Sequence, residues 1–97
     1  MKMEKLMSQL ECAKQFFNPK DKFRAEFHLG HAMKALAEVR KAEAEYLLTA
    51  KGWRYIADLC FQLKTVSDVS GFEQMARDCT YIRDYAVTMT NGKSNER

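Results

Sequence analysis

In 97 residues the chain has one proline and four glycines, and the glycines stand singly. That scatter excludes the glycine-rich phosphate loop and the G-x-G-x-x-G turn, which need glycines a few residues apart, and no G-x-S-x-G nucleophile turn is present. Three cysteines, Cys12, Cys60 and Cys79, lie far apart without C-x-x-C spacing. Neither a disulfide framework nor a zinc ribbon fits such a set, so reduced thiols serving as small core residues are expected. No apolar run nears the ~20 residues that cross a bilayer, and Glu4 and Glu11 interrupt the stretch where a signal peptide would be apolar. A cytoplasmic protein with no membrane partner is the expectation.

Charge of one sign is also scarce. The formal charge is +3, from 16 Lys and Arg against 13 Asp and Glu. A duplex-binding protein concentrates its cations on one face to displace counterions from phosphates. Here the densest basic group, Lys14, Lys20, Lys22 and Arg24, is interrupted by Asp21 and Glu26. A solvated helix junction accounts for it, and nucleic-acid binding through that junction is the alternative function.

What the chain does contain is helical periodicity. Hydrophobic residues make up 46% and charged residues 30%, the mix of a soluble globular domain. Met3, Leu6, Met7, Leu10, Ala13 and Phe17 recur every three or four residues, as do Phe72, Met75, Cys79, Ile82, Ala86 and Met89. From Trp53 to about Val66, the residues Ile56, Leu59, Cys60 and Leu63 share one side and Phe61 lies opposite. No segment alternates like a half-buried strand. The fold class is therefore all-α, a compact bundle of about four helices in one domain over residues 1–92, followed by a polar tail, 93–97.

The turn signals divide these helices. Asn18-Pro19 suits a cap and first position, so helix 2 is expected to start at Pro19. Lys51-Gly52 suits its exit, which makes helix 2 a long central element over about 19–51. Ser70-Gly71-Phe72-Glu73 fits the S-x-x-E capping box of the last helix, and Asn91-Gly92 its close. Helix 2 carries two apolar stripes, Leu29, Met33, Leu36, Ala44 and Leu47 beside His28, Ala32, Ala35, Val39, Ala42 and Tyr46. Two stripes call for neighbours on two sides, and the alanines let one of them approach closely.

His28 and His31 are spaced for one face of a helix, but no third ligand accompanies them, and Glu26 projects about 160° away from His28. No metal and no cofactor are expected. Nor is a catalytic residue assigned, because the acids sit among Lys and Arg at helix-surface spacing, as in Glu38, Lys41 and Glu45. The surplus is aromatic: on the last helix Tyr81 and Tyr85 lie about 130° and 90° from the centre of the apolar stripe, with Arg77 and Asp78 beside them. Phe61 with Arg54 on the third helix is a weaker pair. Tyrosine and arginine dominate interfaces. These six residues are the expected contact set of a small, non-catalytic protein-binding module acting stoichiometrically as an inhibitor, adaptor or assembly factor, of the kind phages and mobile elements turn on host enzymes. The expected partner is a protein, with a second copy of the chain among the candidates.

Overall fold

A computed structural model describes residues 2–95. Four helices run in the order α1 (Lys2–Gln15), α2 (Phe23–Lys41), α3 (Ala50–Val69) and α4 (Glu73–Asn95), with a single 3₁₀ turn at Glu45–Leu47 between α2 and α3. No strand occurs among the described residues. α1 lies along α2 and α3 along α4, and the two hairpins stack with α1 on α3 and α2 on α4. The helices thus form a ring in which α2 and α3, consecutive in sequence, are not close neighbours.

The apolar periodicity accounts for the core. Leu6, Leu10 and Ala13 of α1, Ile56, Cys60 and Leu63 of α3, and Met75, Cys79, Ile82 and Ala86 of α4 are buried together. From α2 come Ala25, Leu29, Ala32, Ala35, Leu36 and Val39. The two stripes of α2 therefore meet α1 and α4. α2 occupies one corner of the ring rather than its centre.

Helix 2 is also shorter at both ends than the turn signals suggest. Asn18-Pro19 builds a turn, not a cap: Asp21 N–H donates to the Asn18 carbonyl (3.1 Å) and Lys20 N–H to Asn18 Oδ1 (2.8 Å). Asp21 Oδ1 then accepts from Phe23 N–H at 3.0 Å, where α2 begins. At the other end Glu43 adopts φ +52°, and Ala44 N–H donates to Val39 O while Glu43 N–H donates to Arg40 O. This is the paired closure of a Schellman motif, with glutamate where glycine is usual. Ala42 becomes the cap, so Ala42 and Tyr46 leave the alanine stripe and are exposed.

Gly52, expected at the exit of helix 2, stands in the first turn of α3. Thr49 caps that helix, its Oγ1 accepting from Gly52 N–H. A Cβ on Gly52 would come within 2.6 Å of Leu48 Cγ, so the glycine admits Leu48 against the core. Ser70-Gly71 closes α3 instead of capping α4: Gly71 has φ +78°, and Phe72 N–H donates to Ser67 O at 2.8 Å. α4 continues through Gly92 to Asn95. Of the expected tail, Glu96 and Arg97 lie outside the described residues.

Candidate protein-binding surface

Apart from Tyr46 in the 3₁₀ turn, 73% exposed, the two most exposed aromatics stand on α2. Phe23 is 69% exposed and Phe27 55%. The Asn18–Asp21 turn releases the chain into α2 at Phe23, and one helical turn later Phe27 follows on the same side. At 100° per residue both project more than about 140° from the buried Leu29, Ala32 and Leu36 stripe.

This face is held from behind. Phe27 meets His31 edge-on, with ring centroids 4.6 Å apart, and His28 at 5.4 Å. His28 stacks on Phe16 just beyond the end of α1 (5.7 Å), and its Nδ1 lies 2.7 Å from Gln9 Oε1. Arg24 covers the other part of the Phe16 ring at 4.0 Å. His28 therefore joins α2 to α1 through Phe16 and Gln9, whereas His31 meets Phe27 within α2. In front of Phe27 a shallow cavity of about 310 Å³ is lined by Phe23, Glu26, Phe27, Gly30, His31 and Lys34.

The six residues singled out by composition do not form one patch. Arg77 lines a groove between α3 and α4 with Lys64 and Asp68, while Tyr81 lines another between α2 and α4 with Met33 and Arg40. Asp78 accepts a hydrogen bond from the Gln74 amide within α4. Phe61, 53% exposed on α3, is covered in part by the Arg83 guanidinium at 5.3 Å, and Arg54 is exposed on the same helix.

The two tyrosines differ. Tyr81 is 47% exposed, and its hydroxyl accepts from Arg40 Nη1. Tyr85 is engaged by the fold: its ring meets Trp53 edge-on at 5.7 Å, Arg40 lies over it at 4.9 Å, and its hydroxyl donates to Glu45 Oε2. Burial and the bond to Glu45 push the Tyr85 hydroxyl up to about 12. The same bond holds the Glu45 carboxyl below its ordinary value. Glu45 thus faces Tyr85 instead of pairing with Lys41 along a helix.

The basic group is likewise divided. Lys14 lines a groove between α1 and α3 beside Glu11 and Tyr55, Lys22 approaches Glu26 at 3.7 Å and Phe72 at 5.9 Å, and Arg24 lies on Phe16. Lys20 sits exposed in the turn.

Cys60 and Cys79 are buried and Cys12 is partly exposed, all as free thiols. Burial pushes the Cys60 thiol up strongly and that of Cys79 to about 12, which keeps both protonated and poor nucleophiles near neutral pH. Among the described residues no group of three or more His, Cys, Asp or Glu side chains could hold a metal ion.

Phe23 and Phe27 were not among the residues composition singled out. The signal was there, since two aromatics one turn apart opposite a helix's apolar stripe have no place in its core. Reading helix 2 as a central element with neighbours on several sides concealed it. No known protein family matches the chain, and no curated protein or solved structure matches it either.

Proposed function

We propose that this chain is a small, non-catalytic protein-binding module acting stoichiometrically, and that the outer face of α2 is its contact surface. The observation that supports the reading is the exposure of Phe23 and Phe27 side by side on a helix whose opposite face is fully buried. A single exposed apolar residue is ordinary on any surface. Two adjacent phenylalanines, backed by a packed His28–Phe16 stack and rimmed by Arg24, Glu26 and Lys34, have the layout of an interface core with a polar rim. Aromatic rings give contact area at little entropic cost, because their few rotatable bonds are already restrained. Tyr81, at the edge of the neighbouring α2–α4 groove, lies outside this centre and is a secondary contact.

The test is tagged capture from the cells that make the protein, with and without nuclease, using wild type and the Phe23→Ala/Phe27→Ala double variant. Both residues are largely outside the core, so the double variant should keep its helical signal and cooperative melting. Its association should weaken by ~2 kcal/mol or more, the scale of interface hot spots. Equal capture by wild type and variant would refute the reading. Partners lost on nuclease treatment would instead favour nucleic-acid binding.

A further inference from the structure

We infer that the occupant of the α2 face is a second copy of this chain, packed α2 against α2 in antiparallel orientation. The inference rests on the reading of that face as a contact surface. It begins from Gly30, an exposed residue in the interior of α2 without a positive φ. Apart from its chain neighbours and the helix's own backbone, no heavy atom of the described residues lies within 4 Å of where its Cβ would stand. Glycine weakens a helix interior, and nothing in the chain's own packing calls for it here. Its missing side chain opens the cavity in front of Phe27 and lets another backbone come close.

The residues around Gly30 are self-complementary. A two-fold dimer uses the same patch on both copies, so an antiparallel helix pair is fixed by one register. With the two-fold axis level with His28 and Leu29, Phe23 of each copy lies opposite Lys34 of the other, an aromatic face beneath a cation. The two Phe27 rings meet on one side of the axis and the two Gly30 positions on the other, where the backbones can approach. Glu26, on the glycine side, then comes within about one turn of Lys34 of the other copy, giving two ion pairs of opposite charge across the interface. The contact is limited to one helix face per copy, which places it at the small, weak end of protein interfaces.

Analytical ultracentrifugation of the intact chain, from micromolar to near-millimolar concentration, should show a reversible monomer–dimer equilibrium. Gly30→Gln, which favours helix but fills the notch, should melt no lower than wild type when dilute and dimerise at least ~10-fold more weakly, a loss of about 1.4 kcal/mol. Phe61→Ala, on α3, should dimerise as wild type does. Glu26→Lys and Lys34→Glu, both at the surface, should each weaken the homodimer, and an equimolar mixture of the two should regain it as a heterodimer. A chain that stays monomeric throughout, a Gly30→Gln dimer as strong as wild type, or a charge-swapped mixture without recovery overturns the inference. A monomer whose capture of another protein still depends on Phe23 and Phe27 overturns the second-copy assignment alone. Capture indifferent to those residues overturns the contact surface itself.

Discussion

Glu43 and Gly71 do the same conformational work with opposite legibility. Each stands just past a helix end with positive φ, +52° and +78°, and each lies in a pair of hydrogen bonds that closes the last turn. Glycine adopts this conformation without penalty, whereas a side chain brings Cβ against the following carbonyl at a cost of roughly 1–2 kcal/mol. Glycine also loses more freedom on folding, which offsets part of that difference. Glu43→Gly should therefore stabilise the protein by about 0.5–1 kcal/mol, and Glu43→Val should destabilise it, as read from urea midpoints at constant slope. Gly71 was readable as a turn from its identity. Glu43 was not, because glutamate is a common helix residue and only the packing of Ala44 and Leu48 on the core draws the chain out of line there.

The 42–49 connector is the element that sets the second half of the fold against the first. Its 3₁₀ turn is pinned twice at Glu45: the carbonyl accepts from Trp53 Nε1 at 3.2 Å, and the carboxylate accepts from the Tyr85 hydroxyl. The Tyr85 bond, the turn's own backbone and Arg40 hold the carboxyl below its ordinary value of 4.5. A carboxyl lowered by folding contributes stability that is complete above its unfolded value and lost as pH falls through the folded one. Tyr85, raised from 10 to about 12, contributes below pH 10 and loses that contribution as pH rises toward 12. Tyr85→Phe should cost about 1 kcal/mol near neutrality, flatten the acid fall in stability below pH 4.5 and reduce the alkaline fall. Urea midpoints measured across pH check this. Tyr55, whose bond to Glu11 raises it as well, keeps part of the alkaline slope.

At the scale of the molecule, the alanines of α2 decide how closely the hairpins pack. Ala32 and Ala35 are buried between neighbouring helices, whereas Ala42 is an exposed cap. Ala35→Leu should cost roughly 1–3 kcal/mol by overpacking, and Ala42→Leu should be nearly neutral. Thermal melts of the two variants make the comparison, and equal effects would mean that the stripe is not divided at Lys41. The stripe's regular spacing through Ala42 to Tyr46 is the feature that extends helix 2 when it is read alone. Periodicity reports which residues would share a face if the helix continued, not whether it continues.

Helix existence and the inward faces of α1, α3 and α4 were determined by sequence alone, because burial of an apolar stripe every 3.6 residues leaves a pattern that needs no partner to be recognised. Met3, Leu6 and Leu10, or Met75, Cys79 and Ile82, are buried as their spacing requires. Tertiary structure decided where α2 ends, which helices are neighbours, and which aromatics remain outside. Tyr85 and Phe27 are both off-stripe aromatics on amphipathic helices, yet Tyr85 turns inward because Glu45 and Trp53 stand beside it, residues distant in sequence. Phe27 stays outward, 55% exposed, with the rings of His28 and His31 from its own helix against it. A side chain's angle on its helix is a local property, whereas the presence of another element at that angle is set by the whole chain.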